Sequence, residues 1–135
     1  MKNAVLNLAA FLLLASSFVA CKKEKTFKDQ LVGHWQSTEV KVAGEDVTDT
    51  YAFLLHLEGS YEFELDAKSV VPLTGTITQT YEGDWVDDEV RQDISLTYRN
   101  GGKKTWDITQ LTETNMTAEI IEADNKRYQV KFKRQ

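Results

Sequence analysis

The chain has 135 residues, which is enough for one domain with a single hydrophobic core. Its formal net charge at pH 7 is −5, from 21 acidic and 16 basic residues. Nucleic-acid binders present a basic face, so we expect no nucleic-acid partner for this acidic chain. The single cysteine excludes a disulfide within the chain.

The first 20 residues have the layout of a secretory signal peptide. Lys2 is the only charged residue before Lys22, and residues 4–20 read AVLNLAAFLLLASSFVA. A short positive start, an apolar run and small residues at the end are typical of such peptides. A transmembrane helix is the alternative, but it needs about 20 apolar residues, and this run is shorter and is interrupted by Asn7.

Cys21 directly follows this segment. The stretch Phe18-Val19-Ala20-Cys21 resembles the bacterial lipobox, in which the cysteine becomes the lipidated first residue of the mature protein. Small residues give a peptidase access, and the thiol accepts an acyl chain such as palmitate. A buried free thiol is the alternative. We therefore predict a signal peptide over residues 1–20, a lipidated cysteine with a charged tether over 21–26, and one domain over 27–135.

The tether begins Lys22-Lys23-Glu24-Lys25. We expect the acylated Cys21 to make the membrane a partner, since each buried CH₂ of an acyl chain contributes about 0.8 kcal/mol. The expected location is the bacterial cell envelope at the outer membrane, with the periplasmic and the surface face both left open.

Alternation with period two dominates residues 27–135 and predicts strands with one buried face. The alternating runs are Tyr61–Asp66, Ile94–Arg99, Trp106–Thr109, Met116–Ile120 and Arg127–Lys133. Turn residues such as Asn100-Gly101 separate them. Counting from Trp35, we expect eight or nine strands after one short helix over 27–31. The fold class is therefore all-β, an antiparallel up-and-down β-barrel of about eight strands, since closure removes exposed strand edges.

Two Gly-x-Trp motifs carry a resemblance to a known family. Gly33-His34-Trp35 opens the domain, Gly83-Asp84-Trp85 follows in mid-chain, and Trp106 begins a later strand. This order resembles the lipocalin-like lipoproteins of Bacteroidetes over residues 27 to 134. The resemblance implies that the first tryptophan closes one end of the barrel and that the glycine allows tight packing beside it.

The chain is shorter than most lipocalins and no helical pattern follows its last strand, so we expect a small barrel with a shallow cavity or none. An eight-stranded barrel is either filled by side chains or holds one small ligand. The candidate pocket residues are Phe53, Leu55, Tyr61, Phe63, Tyr81, Leu96, Tyr98, Tyr128 and Val130, and the inward set also includes Leu57, Ile77 and Ile108. The tryptophans are interpreted as core and plug residues.

Catalytic and metal-binding patterns are weak. His34 and His56 are the only histidines, and His56 is expected to face solvent. The acidic cluster of Asp84, Asp87, Asp88, Glu89 and Asp93 has the oxygen ligands that calcium takes, but its spacing matches no EF-hand. We find no nucleophile elbow or phosphate loop, and expect no enzyme, no metal and no cofactor.

The sequence therefore favours a lipid-anchored envelope protein whose barrel binds a small apolar ligand. The alternative is a filled barrel that acts as an interaction or accessory module, with an envelope protein as its partner.

Overall fold

The computed structural model describes residues 23–135, so the predicted signal peptide and the lipidation of Cys21 lie outside the described residues. One short helix, α1, precedes nine strands. Their bounds are α1 Phe27–Leu31, β1 Gly33–Val42, β2 Glu45–Asp46, β3 Tyr51–Leu57, β4 Glu62–Val71, β5 Gly75–Asp88, β6 Asp93–Tyr98, β7 Lys103–Leu111, β8 Asn115–Ile121 and β9 Arg127–Arg134.

The strands form one closed antiparallel barrel. Strands β3 to β8 each pair with the next strand in the chain, β1 pairs with β3, and β9 pairs back to β1. The two-residue strand β2 pairs with the end of β1 and adds a small hairpin beside the barrel. Eight strands therefore make the wall, and the expected all-β, up-and-down barrel is confirmed.

Helix α1 packs across one end of this barrel. Thr26 and Asp29 form a capping box at its start, which satisfies two backbone N–H groups that the helix leaves free. Phe27 and Leu31 are buried in the core, so this end is closed. Within residues 23–135, no helix has the length and apolar character needed to cross a membrane.

The core fills the barrel near α1. Trp35, Trp85, Leu55, Leu96 and Phe132 are among its almost fully buried side chains. Register explains the packing, because cross-strand partners point to the same side of the sheet: Trp35 pairs with Leu55, and Trp85 pairs with Leu96. The alternation in the sequence thus predicted most of the inward face correctly.

Two residues of the predicted inward set are not enclosed, which corrects that prediction. Tyr61 lies before β4 in a turn, with φ +70°, and it is 41% exposed. Ile77 shares a face with the inward Tyr81, but it is 49% exposed. The reason is that β5 is longer than β6. Its pairing with β6 begins at Gly83, so residues 75–81 extend past the β6–β7 hairpin.

Candidate ligand cavity

A cavity of about 220 Å³ lies inside the barrel, beyond the packed core. Most of its wall is aromatic or aliphatic, and two charged side chains complete it. The lining residues are Phe53, Leu65, Ala67, Tyr81, Tyr98, Lys104, Trp106, Ile120, Glu122, Tyr128 and Val130. The sequence left a shallow cavity and no cavity both open, and the structure has a cavity of about 220 Å³.

The structure divides the candidate pocket residues into three groups. Phe53, Tyr81, Tyr98, Tyr128 and Val130 line the cavity. Tyr61 lies outside the barrel interior, as described above. The remaining three, Leu55, Phe63 and Leu96, are buried in the core and do not line this cavity, because they lie nearer the end that Trp35 and Trp85 fill.

Gly83 shapes the aromatic wall. A Cβ atom at this position would collide with the carbonyl oxygen of Thr97 and with the Phe63 ring, so the backbone of β5 approaches β6 as only glycine permits. Phe63 and Tyr98 pair with Gly83 on either side and pack edge to face, with ring centroids 5.4 Å apart. Tyr81 packs on Tyr98 in the same way at 5.7 Å.

The other signature glycine, Gly33, lies at the closed end. Its φ of +142° is unfavourable for any other residue, and a Cβ atom there would collide with the guanidinium of Arg134. The predicted close packing beside Trp35 is therefore explained by an arginine from the last strand. Our sequence interpretation did not identify Arg134, and no motif in the sequence pairs it with Gly33.

The three tryptophans differ in their hydrogen bonds. Trp35 Nε1 donates to the carbonyl of Leu31 at 2.8 Å, and Trp85 Nε1 donates to the carbonyl of Glu58 at 2.9 Å. Trp35 therefore joins β1 to α1, and Trp85 joins β5 to the β3–β4 turn. Trp106 is 3% exposed and borders the cavity, but its Nε1–H has no acceptor among residues 23–135.

An ion pair forms the polar part of the cavity wall. Lys104 Nζ donates to the two carboxylate oxygens of Glu122 at 2.7 and 3.0 Å, and both side chains are partly exposed. Burial, and then the nearby charge of Glu122, raise the pKa of Tyr98 to about 12. The phenol of Tyr98 therefore stays protonated at neutral pH.

The sequence interpretation missed Lys104 and Glu122, although a signal for Lys104 was available. Inward residues repeat every second position along a strand. Trp106 and Ile108 are inward on β7, so Lys104 falls on the same face. Lysines are seldom enclosed, and the side chain of Lys104 stays 45% exposed, so the parity of the strand alone does not mark it as a cavity residue.

The histidines form a small cluster on the outer wall. His34 and His56 are register partners on β1 and β3, and their rings stack with centroids 3.7 Å apart. The side chain of His56 is 33% exposed and lies 3.9 Å from Glu58. It therefore faces outward but is partly covered by His34. Within the described part of the chain, no three His, Cys, Asp or Glu side chains are arranged to hold a metal.

The acidic cluster at the end of β5 and the start of β6 is partly neutralised by a nearby arginine. Arg91 Nε lies 3.0 Å from Asp88 and 3.6 Å from Asp93. A backbone hydrogen bond and a side-chain hydrogen bond from Arg91 lower the pKa of Asp88. Arg91, in the loop between β5 and β6, therefore forms ion pairs with the last residue of β5 and the first residue of β6.

Comparison with known proteins gives the fold a class. No protein-family model and no curated protein matches the chain. Among solved structures, a redesigned β-barrel superposes with a TM-score of 0.56 at 15% identity, covering 84% of this chain and 99% of the other. Bovine odorant-binding protein in complex with a selenium-containing odorant superposes with a TM-score of 0.51 at 12% identity, covering 84% of this chain and 75% of the other.

The same bovine protein in complex with undecanal gives a TM-score of 0.51 at 10% identity, covering 84% of this chain and 76% of the other. These odorant-binding proteins are lipocalin-family barrels. At such identities the similarity establishes the fold alone, and the chain accordingly has a lipocalin-like β-barrel fold.

Proposed function

We propose that this protein is a lipid-anchored envelope protein whose barrel binds one small apolar ligand. The observation that carries the proposal is the cavity of about 220 Å³ inside the closed barrel, with its mainly apolar lining. A dry apolar cavity of about 150 Å³ already holds benzene, so this one suits a single-ring molecule or a short chain. The odorants bound by the bovine protein of the same fold support the same ligand class.

The cavity can be tested by filling it. Ala67 lines the cavity, so Ala67→Phe should fill part of it and weaken the binding of an apolar fluorescent dye at least tenfold. Ala52 pairs with Lys68, whereas its chain neighbour Phe53 pairs with Ala67, so Ala52 points to the outside of the same wall. Ala52→Phe is therefore the matched control and should leave dye binding unchanged.

The native mass of the purified protein, after exposure to lipid and metabolite extract, separates the two candidate functions. A reproducible added mass that disappears on denaturation would support ligand binding. A bare protein mass, together with no displaceable dye binding, would favour the interaction module.

The interaction module has one structural observation in its favour. Leu73 is fully exposed at the tip of the β4–β5 hairpin, and Val70 beside it is 50% exposed. An exposed apolar tip is suited to contact with another envelope protein. Leu73→Ser should leave dye binding intact. If this variant binds dye normally but fails to replace the wild-type protein in cells, the second function would be indicated.

The lipid anchor rests on the lipobox-like sequence before Cys21 and is tested separately. In cells fed a labelled fatty acid, the wild-type chain should take up label and fractionate with membranes, and Cys21→Ala should do neither. Lys23→Ala, in the tether, is the control and should still be labelled. Labelling of Cys21→Ala equal to that of the wild type would refute the anchor and leave the cavity proposal untouched.

A further inference from the structure

Strand β5 has one open edge. It pairs with β4 along residues 75–84, but its pairing with β6 begins only at Gly83. Residues 75–81 therefore have a neighbouring strand on the β4 side and, among residues 23–135, none on the other side. The barrel is closed from Gly83 onward, so the open edge is confined to the part of β5 that extends past the β6–β7 hairpin.

The backbone groups on this edge belong to three threonines. The N–H of Trp85 donates to Tyr61 on the β4 side, whereas the carbonyl of Glu82 accepts from Arg99 on the β6 side. Because the peptide groups of successive residues in a strand point to opposite neighbours, the even-numbered residues of β5 face the open side. These residues are Thr76, Thr78 and Thr80, and each presents one N–H donor and one C=O acceptor to it.

The open edge lacks the features that usually keep strand edges from pairing. Charged side chains, prolines and bulges serve that purpose in other proteins. Residues 69–81 contain no charged residue, the register with β4 has no bulge, and Pro72 lies in the turn before the strand. Residues 76–80 are all exposed, and the threonines and isoleucine among them favour an extended backbone. The edge is therefore suited to receive another strand.

The sequence of the edge favours a second copy of the same strand as its partner. The segment Thr76-Ile77-Thr78-Gln79-Thr80 has threonine at every position whose backbone faces the open side. An antiparallel strand from a second copy, related by a two-fold axis at Thr78, places Thr78 opposite Thr78 and Thr76 opposite Thr80. Each of these pairs can exchange two backbone hydrogen bonds, and threonine pairs across strands are favourable.

Charge and length also fit a second copy. The chain has a net charge of −5, but the paired segments carry no charge, so no like charges meet along the edge. In this register Gly75 of the second copy, where its β5 begins, lies opposite Tyr81. The added strand therefore ends just before Gly83, where β6 takes over the pairing.

A cleft at this junction leaves room for the turn that precedes β5 in the second copy. It has a volume of about 310 Å³ and is lined by Thr80, Tyr81, Glu82, Arg99 and Asn100. Tyr81 lines the ligand cavity as well, so the open edge lies beside that cavity.

We propose that the protein forms a two-fold symmetric dimer in which the open edges of two β5 strands pair antiparallel about Thr78. This dimer goes beyond the proposed ligand binding and does not require it. Because the paired segment is short, the interface belongs to the small, weak class, and dimerisation depends on protein concentration.

Sedimentation velocity of the purified protein, from micromolar to millimolar concentration, tests the dimer. The wild type should shift from monomer to dimer as the concentration rises. Thr78→Lys and Thr78→Glu should each stay monomeric, because two like charges would meet at the two-fold axis. An equimolar mixture of the two variants should form the dimer again, since opposite charges then meet.

Thr105→Lys is the matched control. Thr105 is an exposed residue of β7 that pairs with Ser95, away from the open edge, so this variant should dimerise like the wild type. Circular dichroism reports whether each variant has folded.

Amide hydrogen exchange in the wild-type protein locates the interface without a variant. The amides of Thr76, Thr78 and Thr80 should exchange rapidly in dilute protein and several-fold more slowly at high concentration. The amides of Ile77 and Gln79 point toward β4 and should exchange at the same rate at both concentrations.

Four results would overturn the proposal. One is a wild type that stays monomeric up to millimolar concentration. Another is a dimer that persists unchanged in Thr78→Lys and in Thr78→Glu, which would place the interface elsewhere. A third is a mixture of these variants that dimerises no better than either alone. The last is slow exchange of the three threonine amides already in the dilute monomer, which would mean that another segment, such as residues 1–22, covers the edge.

Discussion

Arg134 lies over the indole face of Trp35, with its guanidinium carbon 4.2 Å from the ring centroid. The same guanidinium group donates to the carbonyls of Gln30, Val32 and Glu113. One side chain at the end of β9 therefore joins α1, the start of β1 and the β7–β8 turn. The closed end of the barrel depends on this contact between the first and the last strand.

Removing this guanidinium should destabilise the barrel. Arg134→Gln leaves three backbone carbonyls without their donor and removes a cation–π contact, so we expect the free energy of unfolding to fall by about 2 to 4 kcal/mol. Urea denaturation measures the change. Arg127→Gln is the control on the same strand: Arg127 makes one exposed ion pair, 3.7 Å from Glu119, and its loss should cost less than about 1 kcal/mol. Equal losses in the two variants would contradict the role given to Arg134.

Glycine at position 83 should be required by the closeness of two strands. Gly83→Ala drives a methyl group into the Thr97 carbonyl, and we expect it to lower the free energy of unfolding by about 1 to 3 kcal/mol. A Cβ atom at Gly59 has nothing within 4 Å, so Gly59→Ala should be neutral or stabilising by up to about 1 kcal/mol. Thermal unfolding of the two variants compares them directly, and an unchanged Gly83→Ala would contradict the close approach.

The phenol of Tyr98 should ionise at a higher pH than that of an ordinary tyrosine. Burial raises its pKa in the folded state from 10.0 to about 12, so the folded protein holds this proton more tightly than the unfolded chain does. Its contribution to stability is therefore complete below pH 10 and is lost as the pH rises toward 12. Urea unfolding at several pH values should show this loss in the wild type, and a smaller one in Tyr98→Phe.

The charge of Glu122 gives the same titration an internal check. Ultraviolet absorbance of tyrosinate follows the ionisation. The component that ionises at the highest pH should be missing in Tyr98→Phe. Glu122→Gln should lower the pKa of Tyr98 but leave it above 10, because burial is the larger cause and the Glu122 charge the smaller one. A normal pKa for every tyrosine in the wild type would show that the Tyr98 phenol is not enclosed.

Glu122 should also control which ligands the cavity accepts. Glu122→Gln removes the negative charge and frees the Lys104 ammonium. The affinity for benzoate, a negatively charged single-ring probe, should therefore rise several-fold. The affinity for acetophenone, a neutral probe of similar shape, should stay near its wild-type value. Lys131→Gln removes one cation of an ion pair with Glu39, 3.1 Å away on the outer wall, and serves as the control. Calorimetry of both ligands with both variants checks the prediction. No gain in benzoate affinity would contradict the charge argument.

The sequence by itself determined the fold class and the inward parity of the strands. Alternation at Phe63 and Leu65, or at Ile94 and Leu96, marks a buried face because successive side chains of a strand point to opposite sides. Turn residues such as Asn100-Gly101 marked where strands end. These are local properties, so they can be predicted without knowing which strands meet. The predicted signal peptide and Cys21 anchor stay predictions, since they concern residues 1–22.

Tertiary structure decided how each inward residue is used. Leu55 and Tyr81 both point into the barrel, yet Leu55 packs in the core and Tyr81 lines the cavity. The depth of each along the barrel depends on strand register and on closure of the barrel. Ile77 is exposed because β5 extends beyond β6, and this difference in length is visible only once the strands are paired. The pairing of Arg134 with Trp35, and of Lys104 with Glu122, depends on contacts between distant parts of the chain, which local patterns do not encode.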